Sequence, residues 1–405
     1  MADIYPFTPI RPNPLYADQL VFTKPQVESV SGDYTKEGGL KPLKTLLETG
    51  ARLRPETPEG QEMAYQDIRE TLQNLLEKEQ IHREELPGMY IYEVIHQTYR
   101  QTGIWALTSL EDYREGRIKI HELTFADSVR RLKNYRENTC LEGSPILLTY
   151  FPTIAINRII ADVKATQPKS ALGNQNGIHR LWKIRELCAQ QALMAAFATI
   201  ETAYLADGHH RIESAANLAA EQKERGQPVY DFISSLYMAT DQLRIEAYHR
   251  VVIPEIPIKK QALFEALQKH FYLREATANQ AVLPQQPKNF GLYIDGNWYH
   301  LRARDQSDSL DAAILQEQVL SPVFGIEDPK TDIRLKCAGG EKALEEISAI
   351  LREHPHAVAF TLSPLTVEQL VSASDAGQIL PPKSTWIVPK VPYGLLIHQH
   401  RFKKN

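Results

Sequence analysis

Cysteine is scarce in this 405-residue chain, and the three present, Cys140, Cys188 and Cys337, are odd in number and far apart. With no CxxC pair, neither a zinc ribbon nor a disulfide framework has the residues it needs, and a reducing compartment is expected. A surplus of charge is missing too: 46 Lys and Arg stand against 50 Asp and Glu, a formal charge of -4. That balance provides no broad field for nucleic acid or an anionic membrane. Long apolar runs are also absent. The greasiest stretch, "ALMAAFATI" (Ala192 to Ile200), is too short to cross a bilayer. The opening "MADIYPFTPIRPNP" is rich in proline and has no signal-peptide core. These absences lead to the expectation of a cytoplasmic protein with no membrane attachment.

Several catalytic signatures are incomplete. "RIKIHELT" holds the pair His121-Glu122, but Phe125 stands where an H-E-x-x-H zinc motif needs its second histidine. What remains is Glu122, a carboxylate able to act as a general base or simply to favour a helix start. "LPPKSTWIVPK" (Leu380 to Lys390) lacks the upstream glycine of a phosphate-binding P-loop, which leaves Lys383 as a side chain able to reach a phosphate or to sit on the surface. No G-x-S-x-G is present, so a serine-hydrolase elbow is excluded.

What is present is an ordinary globular composition, 43% hydrophobic and 24% charged, in a chain long enough for two or three domains. Helical and strand patterns interleave throughout, and no internal repeat is visible. The spacing predicts a helix from Thr57, with Met63, Ile68, Leu72, Leu75 and Leu76 on one face. "GMYIYEVI" and "GIWALTSL" read as an antiparallel hairpin. Further helices are expected from Ala126 to about Glu137 and from Cys188 to Phe197, with a buried strand from Glu201 to Ala206. The proline cluster "VVIPEIPIKK" is the expected boundary. The division is then an irregular and helical segment over 1–85, a core over 86–250 and a C-terminal α/β domain over 251–405. The class is α/β, mixed α+β.

The densest chemistry lies in "AYLADGHHRIESAANLA" (Ala203 to Ala219), where an apolar strand pattern meets a helical one. Helix N-termini present unpaired backbone N–H groups and a positive dipole end, an anion site in waiting. Gly208 lets backbone approach a ligand, Arg211 can fork onto a phosphate, and His209 and His210 can donate to its oxygens. Asp207 can orient a hydroxyl or hold a divalent cation. The alternatives are a polar capping cluster with no ligand, or a metal site. Adjacent histidines project in different directions, so a shared metal needs ligands from elsewhere in the chain.

"GMYIYEV", "YREGRIKIHELT", "AYLADGHHRIESA" and "LPPKSTWIVPKVPYGLLI", in this order, resemble domain-of-unknown-function family 1015, as does the opening "FTPIRPNP". Where that family carries "PPYDV", this chain has "FTKPQVESVSGDY" (Phe22 to Tyr34). More distantly, the DGHHR element resembles the phosphate-binding box of the ParB/sulfiredoxin-like superfamily. Free-serine kinases of that superfamily carry such a box after a His-Glu dipeptide whose glutamate is the catalytic base. The resemblance implies a ParB/sulfiredoxin-like nucleotide-binding core followed by the C-terminal α/β domain. It implies Glu122 as base, Asp207 as assistant or Mg2+ ligand, and His209, His210 and Arg211 on the phosphates of ATP or ADP; Gly208 and Lys383 join them on the reading of the residues alone. The implied partners are a nucleotide and a small hydroxyl acceptor such as serine. A nucleotide-gated regulatory module is the alternative, and the non-basic chain after Val251 argues against DNA. Residues 123–206 separate the two elements, so an insertion is expected to loop out between them.

Overall fold

The β-branched and aromatic residues of "MYIYEVI" and "GIWALTS" pair as antiparallel strands, with Tyr90 opposite Trp105 and both rings fully buried. They form the centre of the larger of two main sheets in a computed structural model. The structure describes residues 3–21, 40–48, 57–174, 177–277, 280–304, 307, 309–381 and 383–400. The segment Phe22 to Tyr34 lies outside the described residues. The chain divides into two compact units, Met1–Leu243 with Pro389–Asn405, and Arg244–Val388.

The first unit is built on a nine-stranded sheet. Its strands are β1 (Ile4–Tyr5), β2 (Met89–Ile95), β3 (Arg100–Ser109), β4 (Ile118–Lys119) and β5 (Ile146–Tyr150). The rest are β6 (Ser170–Asn174), β7 (Gly177–Ile184), β8 (Ala203–Asp207) and β9 (Phe232–Ala239). The order is β4-β8-β5-β9-β3-β2-β7-β6, with β1 also paired to β3. The pairs β4/β8 and β5/β9 are parallel and the others antiparallel. Residues 123–206 are therefore no looped-out insertion. They supply β5, β6 and β7 of the same sheet, because two parallel neighbours need a long crossover between them.

The longer helices of this unit are α1 (Pro58–Glu77), α2 (Ala126–Thr139), α3 (Ile154–Lys164), α4 (Leu187–Phe197) and α5 (His209–Glu224); α3, α4 and α5 lie against the sheet, α2 packs on α5 and α1 on α2. In α1 the Thr57 hydroxyl accepts from the Gly60 N–H at 3.1 Å, and Ile68, Leu72 and Leu75 are buried. Met63, expected on that face, is exposed, and Ala64 and Tyr65 are buried in its stead. On α5, Ile212, Ala215 and Ala219 join Ile146, Leu148 and Leu205 in the main core. Truncating a buried isoleucine or leucine such as Ile212 to alanine costs about 2–5 kcal/mol. The helix ends at Glu224, and Gly226, at φ +65°, takes the left-handed position after it.

The second unit holds a six-stranded sheet of β10 (Tyr248–Val252), β11 (Phe271–Glu275), β12 (Asn289–Ile294), β13 (Asn297–Ala303), β14 (Leu335–Gly339) and β15 (Val358–Leu362). The order is β11-β13-β12-β15-β10-β14, every pair antiparallel. Asp295 and Gly296, at φ +48° and +82°, make the two-residue turn between β12 and β13. The first two residues of the proline cluster, Val251 and Val252, close β10 in this unit. Its mixture of helices and strands, like that of the first unit, gives the α/β, mixed α+β, class that the interleaved patterns predict.

Candidate functional site

The edge of the larger sheet brings the two sequence elements together. Strand β4 runs parallel to β8, with Ile118 opposite Ala203 and Lys119 opposite Tyr204. Parallel neighbours end on the same side, where the crevice of an α/β sheet forms. His121-Glu122 follows β4 by one residue, and Asp207-Gly208 ends β8 and begins α5. Between Leu205 and Asp207 the pairing with β5 shifts register, so Ala206 is an extra residue that re-aims the end of the strand.

Gly208 stands at the turn with φ +104°, a conformation that L side chains rarely adopt. A Cβ there would also lie 2.8 Å from Ile146 Cγ2 and 3.2 Å from Arg211 Nε. Its carbonyl accepts from the N–H groups of Arg211, at 2.9 Å, and Ile212, at 3.1 Å, so the helix starts without delay. The Arg211 guanidinium donates to the carbonyl of Pro145 at 2.5 Å and to Asp207 at 3.0 Å. The other Asp207 oxygen faces the Lys390 ammonium at 3.7 Å. All three side chains are partly exposed, so these pairs add little stability and chiefly set the two cations at the mouth of the turn.

Behind the turn the histidines are buried. His209 is 5% exposed and His121 1%, and their rings meet edge to face with centroids 4.6 Å apart. The Glu122 carboxylate, one-third exposed, lies 4.0 Å from His209 Nδ1. Burial lowers the His121 pKa to about 4, against a smaller upward pull from Asp207 and the Leu205 carbonyl. Burial also holds His209 well below the ordinary histidine value, helped by repulsion from His121, His210 and Arg211. Both rings are therefore neutral at pH 7. His210 turns the other way. Its Nε2 accepts the Phe125 N–H at 3.0 Å and its ring stacks on Phe125, while Thr124 donates to Glu213. These contacts pin the segment after Glu122 against the first turns of α5.

The structure thus gathers Glu122, Asp207, Gly208, His209, His210 and Arg211 around one turn. Lys383 belongs to the second unit, where it lies at φ +58° with its ammonium 5.6 Å from the Tyr248 ring centre. The lysine beside Asp207 is Lys390, seven residues later in the same proline-bracketed stretch. His121 was visible as the partner in a His-Glu pair, yet nothing in its own neighbourhood showed that it would meet His209. Among the described residues, His121, Glu122 and His209 are the group whose ligand atoms converge, all within 4.8 Å of one another. Asp207 is not part of it.

Residues 4–321 match the family model for a protein of unknown function (DUF1015). The chain belongs to this family. No protein of curated function matches the DUF1015 chain. Among solved structures, C-terminally truncated SbnI from Staphylococcus aureus is similar over 72% of this chain and 86% of its own, at 13% identity and a TM-score of 0.40. A mutant of free serine kinase in complex with ADP is similar over 74% and 92%, at 11% identity and a TM-score of 0.37. A conserved hypothetical protein from Pyrococcus furiosus is similar over 74% and 96%, at 12% identity and a TM-score of 0.34. No helix among the described residues is long and apolar enough to cross a membrane.

Proposed function

We propose that this DUF1015 protein is a nucleotide-dependent phosphotransferase acting on a small hydroxyl-bearing metabolite, with serine or a serine-like amino acid as the leading acceptor. The observation that carries the reading is the Glu122 carboxylate, 4.0 Å from the His209 ring at the first turn of α5. A helix N-terminus alone argues for an anion; a carboxylate beside it, from the segment that follows another strand, adds a proton acceptor where a phosphate would sit.

In this reading the first turn of α5, Arg211 and Lys390 hold the phosphates of ATP, and Gly208 lets them approach the backbone. Asp207 keeps Arg211 and Lys390 in place. The acceptor hydroxyl gives its proton to Glu122 while its oxygen bonds to the terminal phosphorus, and the bond from that phosphorus to the departing ADP breaks. Such a reaction depends mostly on positioning and charge neutralisation, which these residue types supply. Magnesium, when it arrives with the nucleotide, neutralises phosphate charge. Asp207, faced by two cations, does not fit as its resident ligand. His210 acts by holding the α2 segment through the Phe125 N–H, and buried His209 stands beside Glu122, so that neither grips phosphate in this reading.

Calorimetry with ATP, ADP and pyrophosphate, each with Mg2+, tests the phosphate site, and phosphorus NMR over a panel of amino-acid and sugar alcohols tests the chemistry. Binding of a nucleotide and appearance of a phosphomonoester are expected. Binding without turnover on any acceptor would favour a nucleotide-gated regulatory module, and no binding at all would remove the site.

A further inference from the structure

The cluster behind the phosphate turn has a feature that phosphoryl transfer does not use. Both ring nitrogens of His121 and Nε2 of His209 are buried and lack a hydrogen-bond partner. Neutral imidazoles left unsatisfied in a core are costly, and each such group calls for a partner. The two rings come from different strand ends and converge with the Glu122 carboxylate, the three ligand atoms within 4.8 Å.

We propose that His121, Glu122 and His209 form a binding site for a first-row divalent cation of the zinc type. Two imidazoles and one carboxylate suit zinc and its neighbours, whereas magnesium demands an oxygen shell. Zinc at its usual bond lengths needs ligand atoms about 3.4 Å apart, so the widest pair, within 4.8 Å, must close by up to about 1.4 Å. Glu122, partly exposed and just past a two-residue strand, is the member placed to move. The Leu205 carbonyl, which faces the His121 ring, is the outer group that would orient a ligating ring. Where the proposed phosphotransfer holds, a bound cation takes the Glu122 carboxylate out of proton transfer, so zinc inhibits turnover. That consequence rests on the functional reading; the binding does not.

The test uses untagged full-length protein, stripped with chelator and free of nucleotide, titrated with Co2+, Zn2+ and Mg2+. One equivalent of Co2+ should develop visible d–d absorption that Zn2+ displaces and Mg2+ does not. His209→Ala should abolish the band, and Glu122→Gln should weaken Co2+ binding by about tenfold or more. Glu122 is partly exposed, so its glutamine variant is expected to fold, and circular dichroism checks this. Absence of the band in the wild-type protein would overturn the proposal, with an ordered water as the partner of the histidines. A band unchanged in Glu122→Gln and His209→Ala would assign the ion to another place, such as exposed Cys188, and also overturn it. Nucleotide binding measured on the same chelated protein fails or succeeds separately, so the two readings can fall independently.

Discussion

Gly208 combines a positive φ with a packing contact, and each constrains the residue in its own way. An alanine there must hold a backbone conformation that costs about 1–3 kcal/mol for an L residue. Its methyl would also press on Ile146 and on Arg211 Nε. Gly208→Ala should therefore lower stability by at least that amount in denaturant titration and weaken pyrophosphate binding in calorimetry. A variant unchanged in both would show that the turn needs no glycine. At this scale the sequence was legible where a residue's role follows from its neighbours in the chain. Asp207, Gly208 and Arg211 meet within one turn, as "DGHHR" suggests. Burial was not legible: nothing local to "GHHR" tells that His209 turns inward to His121 while His210 stacks on Phe125. That Lys390, and not the expected Lys383, stands beside Asp207 follows from where the chain passes from one unit to the other, after Val388, which lysine spacing does not encode.

The element that decides the site is the shortest in the sheet. Strand β4 is two residues long and carries no periodicity of its own, so its parallel pairing with β8 could not be read from the sequence. What holds it is a buried carboxylate. Asp112 is fully buried, accepts from Arg117 Nε at 2.8 Å and from the Asp3 N–H at 2.8 Å, and the Arg117 carbonyl accepts the Ala203 N–H at 3.0 Å. Asp112 acts through β4 and touches nothing at the turn, so it is a positioning residue. Asp112→Ala should cost about 1–3 kcal/mol by leaving the Arg117 Nε–H and the Asp3 N–H without their acceptor, although Arg117 keeps Glu115. It should lower kcat more than it raises KM for nucleotide, because Glu122 shifts while the α5 turn stays. Equal kcat in a folded variant would sever β4 from the chemistry. Elements with strong signals of their own, such as α1 with its Thr57 cap and the β2/β3 hairpin, were legible, since local propensity and tertiary role agree there.

Across the whole molecule, buried histidines set the response to acid. Burial lowers His121, His179 and His249 to about 4 and His398 to about 3. The unfolded chain binds protons on these groups near pH 6.5 and the native chain does not, so stability rises with pH across this window. The contribution is complete above pH 6.5 and is lost as the pH falls from there toward 4, on the order of 3 kcal/mol for His121 alone. The melting temperature should fall clearly between pH 7 and pH 5, and a flat profile would mean that these rings are solvated. The mixed class was legible from interleaved patterns. The return of Pro389–Asn405 to the first unit was not, because a short tail such as "YGLLIHQH" gives no sign of which core will bury Tyr393 and Ile397.

The most direct test of the central claim is a paired measurement on Glu122→Gln, which keeps the size of the side chain and removes its basicity. Turnover with ATP and the acceptor should fall by at least about a hundredfold, in the range of a lost general base, while the Kd for nucleotide stays within a few-fold of wild type. Turnover equal to wild type in that variant would contradict the account and leave the turn at Gly208 as an anion site without Glu122 chemistry.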